Sequence, residues 1–119
     1  MNQKILIIDD EPNVLAALKR ILEMKDFDVS VASNIDEAQA TLAEEDFDIL
    51  LVDVIMPGIR GPELVGKLLS EENRPAVFYT SGYGLGQFDE PEIGEQNFVA
   101  KPFDFDDLFT RLSQSGEKR

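Results

Sequence analysis

Three aspartates stand directly after apolar runs in this sequence, and they are the side chains best suited to chemistry. Asp9 and Asp10 follow the apolar run 5–8, and Asp53 follows the apolar run 49–52. Crowded carboxylates raise one another's pKa values unless positive charge lies among them. A divalent cation with oxygen ligands would supply that charge. Mg²⁺, which takes one or two carboxylates and keeps several waters, fits best, with Mn²⁺ as the alternative.

Two further polar residues follow later apolar runs, Ser81 after 76–80 and Lys101 after 97–100. A carboxylate can act as a nucleophile toward phosphorus, and phosphoryl transfer asks the protein mainly for positioning and charge neutralisation. Asp53 is therefore the predicted phospho-acceptor, and it is already ionised at neutral pH without a base. Lys101 would pair with one phosphoryl oxygen and the Ser81 hydroxyl would bond another.

These residues need a scaffold that brings the ends of separate strands together. Short apolar runs alternate with helical patterns that open at Pro12, Asn34, Pro62 and Asp104. Continuous apolar strands alternating with helices predict an α/β fold with a parallel sheet covered on both faces. Five strands predict the flavodoxin-like doubly wound order 2-1-3-4-5, in which ligands lie beyond the carboxyl ends of the central strands. The predicted strands are 4–8, 28–32, 48–52, 76–80 and 97–100.

Two segments depart from this pattern. Residues 82–95, where a fourth helix is expected, hold four glycines, one proline and four acids. Glycine costs about 1 kcal/mol and proline about 3 kcal/mol in a helix interior, so this helix is predicted to be short or irregular. Residues 113–119 are polar and are predicted to form a frayed tail.

Composition restricts the classes of function. The 119 residues suit one domain, 1–119, and carry a net charge of −13. Such an acidic surface argues against binding to nucleic acid or to anionic membranes. The chain has no histidine or cysteine, which excludes imidazole catalysis, disulfides and thiolate sites. No apolar run suits a membrane span or a signal peptide, so a cytoplasmic location is expected.

Four short motifs occur in a fixed order along the chain. They are Asp9-Asp10, Asp53 with Met56-Pro57-Gly58, Thr80-Ser81-Gly82-Tyr83, and Lys101-Pro102-Phe103. Together they resemble the receiver domain of two-component response regulators. The resemblance extends from Ile5 to Leu112, and its specificity comes from the ordered set, because each motif alone is weak.

The resemblance implies a role for each matching position. It makes Asp53 the phosphorylated residue, Asp9 and Asp10 the acidic pair at the metal, and Lys101 the lysine before a cis proline. It implies that the backbone carbonyl of Ile55 completes the metal shell. Two positions match the family's conformational switch: the hydroxyl of Ser81 and the aromatic ring of Phe98. Ser81 replaces the threonine that is commoner in the family, and Phe98 replaces the frequent tyrosine.

The resemblance also implies partners and output. The phosphoryl donor would be a sensor histidine kinase, and the output would be a downstream protein target or a histidine phosphotransfer protein. The domain would be a monomer or a weak phosphorylation-dependent dimer, and it would catalyse its own phosphorylation without being a conventional enzyme. Ile55 and Tyr83 should flank the acceptor. Neither suits the orientation of a hydrolytic water, so slow loss of the phosphoryl group is expected.

Several alternatives remain open at this stage. Residues 78–84 are similar to receivers of hybrid histidine kinases and to a stand-alone subfamily with a Phe-Ala-Thr-Gly-Tyr-like motif, in which the fourth helix is poorly ordered. The chain could thus be a receiver excised from a hybrid kinase or a phosphorelay. It could also be a pseudo-receiver, an interaction module without chemistry. An aspartyl-phosphate phosphatase is disfavoured, because such enzymes place Asp-x-Asp on the first strand and here the pair is adjacent.

Overall fold

The architecture is a five-stranded parallel sheet with the order β2-β1-β3-β6-β7, seen in a computed structural model that describes residues 2–70, 72, 74–82 and 91–117. This confirms the flavodoxin-like doubly wound order 2-1-3-4-5, because β6 and β7 are the fourth and fifth strands of the sheet. The strands are β1 (Lys4–Ile8), β2 (Asp28–Ala32), β3 (Ile49–Asp53), β6 (Ala76–Ser81) and β7 (Phe98–Ala100).

Helices cover both faces of the sheet because the inner strands are apolar on both sides. All five residues of the central strand β3 are buried. Side chains alternate between faces along a strand, so Ile5 and Ile7 pack with one apolar group while Leu6 and Ile8 pack with the other. Helices α1 (Pro12–Glu23) and α4 (Phe105–Glu117) cover the first face, and α2 (Ile35–Glu44) and α3 (Gly61–Leu68) cover the second.

The helix starts follow the predicted local signals. Pro12 is the first residue of α1, where its missing N–H leaves no helical hydrogen bond unmade. The Asn34 side chain accepts a hydrogen bond from the Glu37 N–H at 2.9 Å, and Glu37 accepts one in return from the Ser33 N–H at 2.7 Å. The return bond thus reaches one residue further back than in the usual capping box. Asp104 caps α4 by accepting a hydrogen bond from the Asp107 N–H at 3.3 Å.

One element of the structure was not predicted. Residues 55–60 form a small antiparallel hairpin of β4 (Ile55–Met56) and β5 (Ile59–Arg60). The turn has proline second and Gly58 third with φ of 82°, the signature of a type II turn. The hairpin leads directly from the end of β3 into α3, and it therefore borders the carboxyl edge of the sheet.

The connection between β6 and β7 is described only in part. The predicted irregular helix of residues 82–95 falls mainly on residues 83–90, which lie outside the described residues. The described stretch that follows is a turn and a short 3₁₀ helix, Glu95–Asn97. The last strand therefore begins at Phe98 rather than at Asn97, because the Asn97 side chain holds that turn by accepting a hydrogen bond from the Gly94 N–H at 2.7 Å.

Helix α4 continues to Glu117, past the last inward-facing leucine of its predicted apolar face. The frayed tail of residues 113–119 stays a prediction. Leu108 and Leu112 are fully buried and anchor the preceding turns. Once a helix is anchored, each further residue adds one backbone hydrogen bond at little cost, and the polar sequence follows the helix. None of the helices in the described part of the chain is long and apolar enough to cross a membrane.

Candidate functional site

The residues that follow the strands converge on the carboxyl edge of the sheet, as the sequence predicts. Asp9 follows β1, Asp53 ends β3, Ser81 ends β6 and Lys101 follows β7. The ladders hold these ends in register, pairing Asp53 with Thr80 and Ser81 with Ala100. A cleft of about 370 Å³ opens there. Its lining residues are Asp10, Glu11, Asp53, Ile55, Ser81, Gly82 and Lys101.

Three carboxylates meet at this edge. Asp9, Asp10 and Asp53 each offer an oxygen, and these oxygens all lie within 4.8 Å of one another. Asp9 is 2% exposed and Asp53 is 6% exposed, whereas Asp10 is more open to solvent. Three oxygens of this kind at this spacing form a donor set for a hard divalent cation.

Lys101 supplies the positive charge among the carboxylates. Its Nζ lies 2.8 Å from Asp9 Oδ2, 3.5 Å from Asp53 Oδ2 and 3.5 Å from Glu11 Oε1. The Lys101–Pro102 peptide bond is cis. The Lys101 N–H donates a hydrogen bond to the Ser81 carbonyl at 2.9 Å, which fastens the residue to the end of β6.

The electrostatics of the cleft are visible in two shifted pKa values. Burial raises the pKa of Asp53 to about 6; Asp9 and Asp10 add to the rise, while Lys101 and the Ile55 N–H oppose it. Burial lowers the pKa of Lys101, but the hydrogen bond to Asp9 and the nearby carboxylates outweigh it, so this pKa is raised. At neutral pH Asp53 is thus mainly an ionised carboxylate beside a charged ammonium group.

The hairpin contributes backbone to the site. The Ile55 N–H donates a hydrogen bond to Asp53 Oδ1 at 3.2 Å, and the Ile55 side chain, 40% exposed, lies at the cleft. The Gly61 N–H donates to the Val54 carbonyl at 2.7 Å and closes the base of the hairpin. These bonds hold the main chain beside the carboxylates.

The two predicted switch residues lie in different places. Ser81 is 3% exposed and borders the cleft. Phe98 pairs with Tyr79 across the ladder and is 9% exposed in the core on the α2 and α3 face, where it does not line the cleft. The predicted role of Tyr83 beside the phosphate falls on a residue outside the described part of the chain.

Comparison with known protein families shows which family the chain belongs to. The sequence pattern of the response regulator receiver domain matches residues 5–113, nearly the whole chain. The chain belongs to the response regulator receiver family. Receiver domains are the signalling modules of two-component systems.

Curated relatives of this receiver domain are regulatory proteins about twice its length. The transcriptional regulatory protein CpxR of Klebsiella pneumoniae subsp. pneumoniae is 33% identical over 110 residues, covering 92% of this chain and 47% of CpxR. ResD of Bacillus subtilis is 32% identical over 101 residues, covering 84% of this chain and 42% of ResD. The chain spans about half the length of the curated relatives it matches.

Solved structures give the same fold. The receiver domain of the hybrid histidine kinase CckA has a TM-score of 0.77 and 32% identity, covering 94% of this chain and 97% of that one. TrrA of Thermotoga maritima, solved with Mg²⁺ and beryllium fluoride, has a TM-score of 0.81 and 27% identity, covering 95% of this chain and 98% of TrrA. TrrA has also been solved in complex with the histidine kinase ThkA.

Sequence reasoning missed one residue of the cleft, Glu11, and one contact outside the cleft, between Arg111 and the start of β7. Glu11 lines the cleft and its N–H donates a hydrogen bond to Asp9 Oδ1 at 2.9 Å. Its position directly after the acidic pair was the available signal. Arg111 of α4 donates hydrogen bonds from Nη1 to the carbonyls of Phe98, at 2.9 Å, and Glu95, at 3.0 Å. No sequence signal links Arg111 to β7, because the contact depends on how α4 packs.

Proposed function

We propose that this receiver domain accepts a phosphoryl group on Asp53 from a histidine kinase in a Mg²⁺-dependent step. The observation that carries the proposal is the convergence of three carboxylates within 4.8 Å with the Lys101 ammonium 3.5 Å from Asp53 Oδ2. A buried carboxylate, a cation beside it and an acidic pair supply the nucleophile and the charge neutralisation that phosphoryl transfer requires.

In this step a carboxylate oxygen of Asp53 attacks the phosphorus of a phosphohistidine. The new O–P bond forms as the P–N bond breaks, and the imidazole leaves with the electron pair. Lys101 already lies within 3.5 Å of Asp53 and would pair with a phosphoryl oxygen. The Ser81 hydroxyl, at the end of the adjacent strand, would donate a hydrogen bond to another oxygen.

The donor set fits a divalent cation. Asp9, Asp10 and Asp53 would hold Mg²⁺ with the Ile55 carbonyl, and Mn²⁺ would suit the same oxygens. When bound, the ion neutralises charge on the carboxylates and on the phosphoryl oxygens. The TrrA complex with Mg²⁺ and beryllium fluoride, a tetrahedral analogue of a phosphoryl group, supports this assignment by analogy.

The proposed switch couples Ser81 to Phe98. The Phe98 ring is buried in this structure, and its backbone carbonyl is bound by Arg111. With a phenylalanine, the packed and exposed positions differ by packing alone, without a phenol hydrogen bond. A hydrogen bond from Ser81 to the phosphoryl group would then favour the packed position of Phe98 that this structure already has.

The domain would act through protein contacts. Receiver domains partner with histidine kinases, as TrrA does with ThkA, and a kinase is the proposed donor here. The proposed output is a downstream target or a histidine phosphotransfer protein. The proposed setting is a response regulator of a two-component system. A receiver within a hybrid kinase or a phosphorelay is the alternative, and the likeness to the CckA receiver supports that alternative. A location in the cytoplasm stays a prediction from the sequence.

The proposal is tested with beryllium fluoride. Thermal unfolding is followed in Mg²⁺ alone and in Mg²⁺ with beryllium fluoride, for the parent and for Asp53→Asn. The adduct should raise the melting temperature of the parent beyond the effect of Mg²⁺ alone, because a ligand that binds only the folded state stabilises it. Asp53→Asn should show no additional rise. An equal additional rise in both proteins would remove Asp53 from the acceptor role.

A further inference from the structure

Gly61, the first residue of α3, is packed against the backbone of the acceptor residue. It is buried, and a Cβ placed on it would lie 2.6 Å from the Asp53 carbonyl oxygen and 3.1 Å from Val54 Cα. Both distances are shorter than the roughly 3.5–4.0 Å at which non-bonded heavy-atom contacts are most favourable. These are main-chain atoms, which cannot rotate out of the way as a flexible side chain can.

The neighbouring backbone leaves little room for adjustment on the sheet side. β3 lies between β1 and β6 in the sheet, with Asp53 paired to Thr80 and the Val54 N–H bonded to the Thr80 carbonyl at 2.9 Å. Because β3 is held on both sides, a side chain on Gly61 would displace the start of α3 and the hairpin that precedes it. That hairpin carries Ile55, whose N–H is bonded to Asp53 Oδ1.

The reason for glycine here is space, not backbone conformation. Among the described glycines only Gly58 has a positive φ, so the φ of Gly61 admits an L-residue. At Gly66 of the same helix, no atom lies within 4 Å of the position that a methyl group would take. Of these two helical glycines, only Gly61 is therefore required by the close approach of a neighbouring backbone.

We propose that Gly61 is a positioning residue for the acceptor site: its missing side chain seats the 55–60 hairpin against the Asp53 backbone and sets the Ile55 main chain relative to the carboxylates. The inference rests on the proposed function, since it assigns Gly61 to the metal-dependent acceptor site. It predicts that a single methyl group at position 61, outside the cleft lining, weakens metal binding in a folded protein.

The test compares Gly61→Ala with the matched control Gly66→Ala. The dissociation constant for Mn²⁺ is measured from free Mn²⁺ by electron paramagnetic resonance, at a temperature where both variants are folded by circular dichroism. Gly61→Ala should weaken binding at least about tenfold, as loss of a residue that orients ligands does. Gly66→Ala should bind as the parent does. A dissociation constant for Gly61→Ala within about twofold of the parent, against that expected tenfold loss, overturns the proposal.

Two further variants guard the interpretation. If Gly61→Ala is not folded, the measurement is made on Gly61→Ala/Gly66→Ala, because alanine at the uncrowded helical position favours the helix. Gly61 also precedes Pro62, and proline restricts the residue before it. Gly61→Ala/Pro62→Ala removes that restriction and should still bind Mn²⁺ weakly. Recovery of parental binding in this double variant would overturn the proposal.

The same preparations separate this inference from the proposed function. Intact mass is measured after incubation with Mg²⁺ and acetyl phosphate. A parent that gains no phosphoryl group, with Mn²⁺ binding still weakened in Gly61→Ala, supports the positioning role while the phospho-acceptor function fails. A parent that gains the group, with Mn²⁺ binding unaltered in Gly61→Ala, supports the function and overturns the role of Gly61.

Discussion

At the scale of single residues, the cleft balances buried negative charge against one ammonium group. The lysine lies 2.8 Å from Asp9 and 3.5 Å from Asp53, and both aspartates are almost fully buried. Burial is the main reason that the pKa of Asp53 is raised, and the neighbouring Asp9 and Asp10 carboxylates add to the rise although Lys101 opposes it. The site is therefore unfavourable when empty of cations and well prepared for a divalent ion.

A first prediction concerns Asp53 and pH in the metal-free protein. The folded-state pKa of about 6 lies above the ordinary value of 3.8, so ionised Asp53 lowers stability at neutral pH. That loss is relieved as pH falls below 6. Asp53→Asn should be more stable than the parent at pH 7 by about 1–3 kcal/mol, and this advantage should shrink by about 1 kcal/mol at pH 5.

Urea unfolding with chelator present, at both pH values, measures the two free energies of unfolding for each protein. Glu23→Gln, which changes an exposed acid in α1, serves as the control and should show no comparable advantage. An advantage for Asp53→Asn that grows as pH falls would contradict the raised pKa.

A second prediction separates the effect of the Lys101 ammonium from that of Mg²⁺, since both would contact Asp9. Lys101→Met removes the ammonium and leaves the buried carboxylates of Asp9 and Asp53 without a cation beside them, so the metal-free protein should lose on the order of 2 kcal/mol. Because the ammonium and Mg²⁺ compete for the same oxygens, Mg²⁺ should raise the melting temperature of Lys101→Met more than that of the parent. Thermal unfolding with and without Mg²⁺ measures both effects.

The matched control is Lys19→Met, which removes an exposed lysine that pairs with Glu23 on α1. It should change neither the stability without metal nor the effect of Mg²⁺ appreciably. A smaller Mg²⁺ effect in Lys101→Met than in the parent would show that Lys101 assists metal binding rather than competing with it.

A third prediction concerns the lifetime of the phosphorylated form. Ile55 borders the cleft with an apolar side chain that cannot orient a water molecule. Ile55→Asn should lose its phosphoryl group several-fold faster than the parent, because an amide can hold the attacking water. Intact mass followed over time after removal of the donor measures the rate. Met24→Asn, at an exposed position at the end of α1, is the control, and equal rates for Ile55→Asn and the parent would reject the idea.

Most of these residues could be predicted from the sequence because of one physical rule. The carboxyl ends of adjacent parallel strands meet at one edge, so polar residues that follow buried strands must converge there. The role of Glu11 could not be predicted in this way. Its contact with Lys101 joins residues 90 positions apart through two flexible side chains, and sequence spacing does not report side-chain rotamers.

At the scale of elements, long periodic segments were predictable and short ones were not. Four of the five strands of the main sheet carry short apolar runs, and β2 alternates apolar with polar residues; both patterns identify strands. The β4 and β5 strands have two residues each, which is too few for any pattern. The continuation of α4 to Glu117 is also hard to predict, since the last turn takes its helicity from the packed turns before it.

A fourth prediction tests the turn of the hairpin. Gly58 has a φ of 82°, a conformation that costs a residue with a Cβ about 1–2 kcal/mol. Nothing lies within 4 Å of its methyl position, so Gly58→Ala should lose about that much stability from backbone strain alone. Urea unfolding measures the loss. Gly58→Asn should lose less, because asparagine tolerates a left-handed backbone, and a larger loss with asparagine than with alanine would contradict this account.

At the scale of the whole molecule, the site and the sheet are one structure. The hydrogen bond from Lys101 to Asp9 joins residues 92 positions apart, and the remaining members come from the strands between them. The cleft therefore exists only when the full sheet has formed. The net charge of −13 adds a general attraction for cations and for basic partner surfaces.

The most direct test of the phospho-acceptor assignment is intact mass after incubation with Mg²⁺ and acetyl phosphate. The parent should gain about 80 Da, the mass of one phosphoryl group bonded to a carboxylate, and the gain should be lost in Asp53→Ala and without the metal. A folded parent that gains no mass, or an Asp53→Ala variant that gains it as the parent does, would rule out Asp53 as the metal-dependent acceptor.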